Sequence, residues 1–213
     1  ALELLEKQLH NRAKKGQYGI IVLSSATDPY LQMEKEQQLT RQMLAKILHF
    51  RFPVHIITKS DLVERDFDLL HQIDANAILP TDLQDKLDRK VFITFSFTTI
   101  DNTIGKQFEP GATPPDKRLE ALRKAIANGF LSGVSMMPLL PYITDTKEHL
   151  ELMFRTFKEA GVHYIFPATI HVFGNDVSDS KTLVLRAVEK YYPHLSQKYH
   201  SFFDNSNEMP AYY

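Results

Sequence analysis

The sequence has 213 residues, of which 43% are apolar and 24% charged, which is enough for one large domain with a sizeable core. A formal net charge of −1 excludes the basic excess typical of proteins that bind nucleic-acid backbones. The lack of cysteine excludes disulfides, thiol catalysis and thiolate metal ligands within these residues. No apolar run is long enough to cross a bilayer and no secretory signal pattern is present, so we expect a cytoplasmic protein.

Five short apolar runs recur along the chain at the spacing of βα units, roughly 30 to 40 residues apart. They are YGIIVLS (18–24), VHIITK (54–59), VFITFSF (91–97), SGVSMMP (132–138) and YIFPATIHVF (164–173). These strands are apolar on both faces, which is typical of a parallel sheet covered by helices. Five strands do not close a barrel, so the pattern predicts an α/β fold with an incomplete barrel.

The segments between the runs have the period of amphipathic helices. One helix is predicted over residues 31–50. A second begins near Thr113, as N-cap, with Pro114 at its first helical position, and ends at Gly129. A third runs from Thr144 or Thr146 to Gly161.

Polar residues follow four of the five predicted strands at their carboxyl ends. The stretches are SSATD (24–28), TKSD (58–61), SFTTID (96–101) and IHVFGND (170–176). Parallel α/β folds build their sites at this edge of the sheet, so the pattern indicates a small-molecule or cofactor site. Each residue also has a structural explanation, because Thr favours strands and Ser and Asp cap helices.

The third run places Thr94, Ser96 and Thr98 on one face of its strand, since side chains alternate across a strand. A row of hydroxyls there predicts that this face lines a polar interior. The alternative is that these residues have no role beyond their preference for β-strands.

Four sequence blocks together resemble the radical S-adenosylmethionine (SAM) superfamily. They are SSATDPYLQMEKEQQLTRQ (24–42), FPVHIITKSDLVERDFDLL (52–70), SFTTID (96–101) and FEPGATPPDKRLEALRKAIANG (108–129). The branch they resemble is the spore photoproduct lyase-like, or DNA repair photolyase-like, branch. The likeness extends over about residues 20 to 174, most of the chain.

The resemblance implies a partial (β/α)6 TIM-like barrel whose first strand precedes a CxxxCxxC loop holding a [4Fe-4S] cluster. SAM bound to that cluster is cleaved to a 5′-deoxyadenosyl radical. This sequence has no cysteine, so its five strands would be the family's second to sixth. We therefore expect the larger C-terminal part of such an enzyme, inactive alone, with the cluster bound only by the intact protein. The barrel would occupy residues 1–175, and a C-terminal helix and tail residues 176–213.

The resemblance and the hydroxyl row together give the candidate SAM contacts, among which Lys59 matches the family lysine that meets the SAM carboxylate. Ser96 matches a serine of the family's fourth strand, and Met137 is placed to flank the adenine ring. The full set is Ser24, Ser25, Thr27, Lys59, Ser96, Thr98, Met137 and His171.

Alternatives remain for several of these residues and their neighbours. Lys59 also fits a solvent-facing lysine before a turn, and Met137 also fits plain core. Asp28 fits a helix cap at Leu31 or an acceptor for the ligand amine. Glu109 fits a family signature or a loop fixed by the proline and glycine that follow it.

Two other functions compete with the radical one. A cluster-free (β/α)-barrel lyase or aldolase would use Lys59 as a Schiff-base former. A relative without catalysis would act as a binding or scaffold module. The histidines show no metal-binding spacing, and the near-neutral charge gives no support for DNA as the substrate.

Overall fold

The computed structural model describes residues 2–24 and 27–203, and it contains one five-stranded sheet. The strands are β1 (Ile21–Leu23), β2 (Val54–Thr58), β3 (Val91–Ser96), β4 (Leu131–Leu139) and β5 (Tyr164–Thr169). Their order in the sheet follows the chain, and every neighbouring pair is parallel. The predicted α/β fold with five parallel strands is therefore confirmed.

Helices alternate with the strands. They are α1 (Leu2–Lys14), α2 (Glu34–Gln37), α3 (Leu39–His49), α4 (Phe67–Asn76), α5 (Asn102–Phe108), α6 (Pro115–Ala127), α7 (Lys147–Ala160), α8 (Ser180–Tyr191) and α9 (Ser196–Phe203). Parallel strands in chain order with right-handed crossovers put the connecting helices on one side of the sheet. The result is a partial TIM-like barrel. None of the helices in the described ranges is both long and apolar enough to span a bilayer.

One face of the sheet packs against the helices and forms the main core. Val54, Ile56, Ile93, Phe95 and Val134 belong to this core and are fully buried. Side chains alternate along a strand, so the intervening residues point to the other face, which we call the open face. Its members are Val22, Ser24, His55, Ile57, Phe92, Thr94, Ser96, Gly133, Ser135, Met137, Tyr164 and Phe166.

The open face is exposed toward its edges and its carboxyl end. Val22 is 49% exposed, Met137 39% and Phe166 59%. Exposed apolar surface of this extent is typical of a face that binds a ligand or a partner. Thr94 and Ser96 of the predicted hydroxyl row lie on the open face, and the polar interior that they were predicted to line stays a prediction.

The helix predictions need two corrections. The helix predicted over 31–50 is two helices, α2 and α3, because Gln38 has a left-handed backbone with φ 50°. Helix α6 begins one residue later than predicted, with Pro114 as its N-cap. The third prediction holds for Thr146, whose hydroxyl accepts a hydrogen bond from the His149 N–H at 3.3 Å, and Gly161 ends that helix.

The chain beyond β5 builds a second core. Ile170 and Val172 turn away from the sheet and pack with Leu140 and Ile143 of the β4–α7 connection. Helices α8 and α9 cover this cluster, and the Tyr199 hydroxyl donates to the Pro141 carbonyl at 2.8 Å. The run predicted as a strand to Phe173 therefore ends as a strand at Thr169. The boundary at residue 175 stays a prediction.

Candidate functional site

Lys59 lies directly after β2, at the carboxyl end of the sheet. Its backbone N–H donates to Oδ2 of Asp28 at 2.6 Å, which ties the ends of β1 and β2 together. The side chain is 32% exposed, and its Nζ lies 3.2 Å from Oε1 of Glu109. The ammonium is therefore held in place while part of it faces solvent.

Asp28 does not cap a helix at Leu31, and its role as an acceptor for a ligand amine stays a prediction. Its Oδ1 accepts from the Tyr30 N–H at 2.9 Å and from the Thr58 hydroxyl at 2.7 Å. With the bond from Lys59 the carboxylate has three donors, all within the protein. The cap prediction is wrong because the chain turns at residues 29–33 and the next helix, α2, starts only at Glu34.

Glu109 is the centre of a buried ion cluster, which we define as Lys59, Glu109 and Arg118. The Glu109 side chain is 7% exposed and is bonded by the Thr98 hydroxyl at 2.6 Å and by Nη2 of Arg118. Burial raises the pKa of Glu109, but the charges of Lys59 and Arg118 and the two hydrogen bonds outweigh it, so the pKa is lowered. Glu109 is thus an anion between two cations.

Arg118 is fully buried and fixes the back of this cluster. Its Nη1 donates to the Ser96 carbonyl at 2.6 Å, and its guanidinium lies 5.3 Å from the ring centre of Phe97. The Nε–H has no partner among the described residues. Glu109 therefore connects helix α6 with the strand ends that carry Lys59 and Ser96.

Thr98 is buried beside this cluster. It is 1% exposed, and its hydroxyl is engaged by Glu109. Thr98 thus orients the carboxylate that holds Lys59. Ser96 differs, because it is half-buried and none of the bonds described for this chain engages its hydroxyl.

The upper part of the open face contains Ser96, Ser135 and Phe166, which are paired in register across β3, β4 and β5. Met137 follows on β4 and is exposed on the same face, whereas its neighbour Met136 is fully buried in the core. Lys59 extends this layer beyond β2. These side chains form a band with one cation, two hydroxyls and two apolar groups.

The lower part of the open face contains a row of neutral polar side chains, which we call the neutral row: His55, Thr94 and Tyr164. Nε2 of His55 lies 2.7 Å from Oγ1 of Thr94, and Thr94 Oγ1 lies 2.6 Å from the Tyr164 hydroxyl. Burial lowers the pKa of His55 and raises that of Tyr164, so both are neutral near pH 7. The hydroxyl row is thus divided, with Thr94 in this row and Ser96 above it.

Gly133 makes the neutral row possible. A Cβ at this position would lie 2.3 Å from the Tyr164 ring, far inside van der Waals contact. The missing side chain lets the ring of Tyr164 on β5 lie across β4 and reach Thr94 on β3. Close approach of another group is a common reason for glycine inside a strand.

Ser24 and Thr27 lie on the β1 side. Both line a cavity of about 350 Å³ with Val22, Leu31 and Met33. Ser24 has φ 114°, a strained backbone for a residue other than glycine. Ser25 lies outside the described residues. His171 is exposed and lies two residues beyond the end of β5.

A larger cleft of about 660 Å³ opens above the ends of β1 and β2. Lys59, Asp28 and Lys35 line it on one side, and the loop from Pro110 to Pro114 lines the other. Lys59 therefore stands where this cleft meets the open face. In the parts of the chain that the structure describes, no group of three or more His, Asp or Glu side chains could hold a metal ion.

Sequence reasoning missed the ion cluster around Glu109 and the neutral row. Gly133, Ser135 and Met137 alternate within one strand, which was a signal that they share a face. Nothing local predicts that Arg118, inside an amphipathic helix, is buried against Glu109. The contact of Tyr164 with Thr94 also depends on the order of the strands.

No family model matches the chain. Protein ORF301 of Acidianus two-tailed virus is 29% identical, over 85% of this chain and 59% of that protein. Protein MJ0683 of Methanocaldococcus jannaschii is 28% identical, over 68% of this chain and 49% of that protein. Both are uncharacterized, and the chain spans about half the length of these relatives.

Solved structures with the same architecture are radical SAM enzymes. A spore photoproduct lyase with bound AdoMet and dinucleoside spore photoproduct gives a TM-score of 0.54 at 19% identity, over 90% of this chain and 51% of that one. SuiB of Streptococcus suis gives a TM-score of 0.54 at 12% identity, over 92% and 41%, and it has also been solved bound to S-adenosylmethionine. The fold is therefore the partial TIM-like barrel of these enzymes.

Proposed function

We propose that the upper part of the open face binds SAM, and that the chain is the larger part of a radical SAM enzyme. The observation that carries this is the ion cluster, which holds the Lys59 ammonium at the strand ends with Glu109 and Arg118 behind it. The fold likeness to enzymes solved with SAM supports the same assignment. The radical activity is part of the proposal and not an observation, because this chain covers only about half the length of those enzymes.

The residues present suit the groups of SAM. The Lys59 ammonium suits the SAM carboxylate as a compact cationic donor. Ser96 offers a half-buried hydroxyl, whereas Ser135 beside it is only 7% exposed, and Met137 and Phe166 offer apolar surface for the adenine ring. Ser24 and Thr27 extend the hydroxyls toward β1, and His171 is the outermost of the candidates.

An iron-sulfur cluster does not suit these residues. Such clusters are held by cysteine thiolates, and the chain has none. The proposal therefore assigns the cluster ligands to another part of the intact protein. With a cluster held there, SAM would supply radical chemistry, and the 213 residues would supply the binding surface for SAM.

The lyase or aldolase alternative is less well supported. A Schiff-base lysine attacks as a neutral amine, often in an apolar pocket. Lys59 instead lies against a buried carboxylate at 3.2 Å, which engages the nitrogen that would have to attack. A binding role without catalysis stays compatible with the same surface.

SAM binding is tested by calorimetry on the 213-residue chain. We expect saturable binding that K59A weakens about tenfold or more, the effect of losing a hydrogen bond to a charged group. K117A, which removes an exposed lysine of α6, is the matched control. The ligand 5′-methylthioadenosine lacks the carboxylate, so K59A should leave its affinity unchanged. Equal losses for both ligands, or no SAM binding, would contradict the assignment.

The radical assignment needs the intact protein, purified without oxygen. Iron and acid-labile sulfide at about four each per chain would support it. An intact protein that has no cysteine triad and binds no iron after reconstitution would leave only the binding role.

A further inference from the structure

Thr94 and Tyr164 of the neutral row lie one layer below the proposed SAM contacts on the open face, and His55, which pairs with Phe92, lies one layer lower again. Thr94 precedes Ser96 by two residues on β3, and Gly133 precedes Ser135 by two on β4. Thr94 itself is only 3% exposed, but His55 and Tyr164 are half-buried. The middle of the row is therefore shielded, and both of its ends reach the open face.

The hydrogen count leaves one donor of the row without a partner. Neutral His55, Thr94 and Tyr164 carry one N–H or O–H each, and the two bonds of the row use two of these three hydrogens. If His55 donates to Thr94 and Thr94 to Tyr164, the Tyr164 O–H is left to donate and Nδ1 of His55 to accept. If Tyr164 donates to Thr94 and Thr94 to His55, Nδ1–H of His55 is left to donate and the Tyr164 oxygen to accept. The third arrangement, in which Thr94 accepts from both, is disfavoured because it leaves the O–H of a side chain that is only 3% exposed without a partner.

In either direction the row offers a donor at one end and an acceptor at the other. Within the described residues, no bond is assigned to Nδ1 of His55 or to a second partner of the Tyr164 hydroxyl. The Phe92 ring stands edge-on to the His55 ring, with centroids 6.0 Å apart, and limits how that ring can turn. A ligand that both donates and accepts can select the direction it needs.

Among the residues that the structure describes, no charged group contributes to the pKa shifts of His55 and Tyr164. Lys59 belongs to the layer above and is engaged by Glu109. The row therefore presents no cation to an anionic group and no carboxylate to a cationic one.

We propose that the neutral row is the substrate-recognition site of the open face, and that it binds an uncharged polar group that both donates and accepts hydrogen bonds, such as an amide or an alcohol. The term substrate rests on the proposed SAM function, whereas the preference for such groups rests on the row alone. Gly133 contributes indirectly, because it admits the Tyr164 ring.

The test uses three small probes of matched size. These are 2-pyrrolidone, which donates and accepts; N-methyl-2-pyrrolidone, which only accepts; and butyrate, an anion. Each is titrated into the chain with ¹⁵N-labelled histidine, and the ring nitrogens of His55 are followed by NMR. We expect a saturable shift with 2-pyrrolidone, and about fivefold weaker binding of N-methyl-2-pyrrolidone for the loss of one hydrogen bond. Butyrate should give no saturable shift.

T94V and Y164F test whether 2-pyrrolidone binds through the hydrogen bonds of the neutral row. T94V replaces the hydroxyl with a methyl group and removes both internal bonds; Y164F removes one end. Each should weaken 2-pyrrolidone binding about fivefold, and T103V, which changes a threonine of α5 outside the row, should not. Unchanged affinity in both variants, or equal binding of all three probes, would overturn the proposal. A T94V variant that lowers the melting temperature but leaves the affinity for 2-pyrrolidone unchanged would also overturn the proposal.

Calorimetry with SAM on the same variants separates the two proposals. If T94V retains SAM binding and loses 2-pyrrolidone, both proposals are supported. If SAM never binds while 2-pyrrolidone is still selected, the row stands and the SAM assignment fails. If SAM binds and the probes are not distinguished, the row proposal alone fails.

Discussion

Nζ of Lys59 and Oε1 of Glu109 lie 3.2 Å apart, and the other oxygen of the same carboxylate is held by Arg118. An ammonium has three N–H donors, so one neighbouring carboxylate oxygen leaves donors for a ligand. Glu109 thereby orients the Lys59 ammonium and leaves some of its N–H groups for a ligand. The helix α6 residue Arg118, which meets no solvent, sets the position of a lysine on another element.

Removal of the charge on Glu109 should destabilise the fold. E109Q leaves Arg118 as a buried cation without its anion, and loss of one partner of a buried pair costs about 3 kcal/mol or more. E120Q is the matched control, because Glu120 forms an exposed pair with Lys117 and should change the free energy of unfolding by less than about 0.5 kcal/mol. Urea denaturation measures both. Equal effects of the two substitutions would speak against the ion cluster.

The same residue predicts a dependence of stability on pH. The folded pKa of Glu109 lies below the ordinary value of 4.5. Its contribution is therefore complete above pH 4.5 and is lost as the pH falls through the lower folded pKa. Between pH 6 and pH 3, E109Q should flatten the acid-side fall of the free energy of unfolding, a range set by typical carboxyl pKa values. An unchanged slope in E109Q would disprove this origin.

The close contact at Gly133 predicts a steric effect. G133A places a methyl group against the Tyr164 ring, and overpacking of this kind costs about 1–3 kcal/mol. G19A is the control, because the nearest atom to a Cβ there is 4.0 Å away. The double variant G133A/Y164A should recover part of the loss relative to the sum of the single changes. Strict additivity in thermal unfolding would show that the two residues do not interact.

Asp28 should affect the position of Lys59 through the backbone. In D28N the side-chain amide cannot accept from both the Lys59 N–H and the Tyr30 N–H as the carboxylate does. We expect a loss of about 1–2 kcal/mol of stability and weaker SAM binding. D85N, at an exposed aspartate, should change neither quantity. If D28N left the SAM affinity at the wild-type value, the hydrogen bond from Lys59 to Asp28 would have no role in SAM binding.

Most of the fold follows from local sequence pattern. The five runs form strands because each is a short apolar segment bounded by turns or helices. Prediction from a segment fails where contacts outside that segment determine its structure. Gln38 divides a helix whose periodicity is continuous, and β5 ends early because Ile170 and Val172 join a core formed with α8 and α9.

The candidate site is less predictable than the fold. Position at a strand end drew attention to Lys59, Ser96 and Met137, but their roles came from the resemblance to a known family, and as SAM contacts all three stay predictions. Thr98 was expected as a direct contact, but its hydroxyl serves Glu109, a residue eleven positions further along the chain. Pairings such as Thr94 with Tyr164 join residues 70 positions apart, and no local property of either residue records the other.

The second core ties the C-terminal helices to the loop after β4. Leu140 and Ile143 pack in the same cluster as Val188 and Phe203, so this loop and the last helices share one hydrophobic interior. A designer who grafted a different C-terminal tail onto this barrel would have to redesign the loop at the same time. For the engineering of chimaeras, the exchangeable module is therefore discontinuous and pairs a short internal loop with the two last helices.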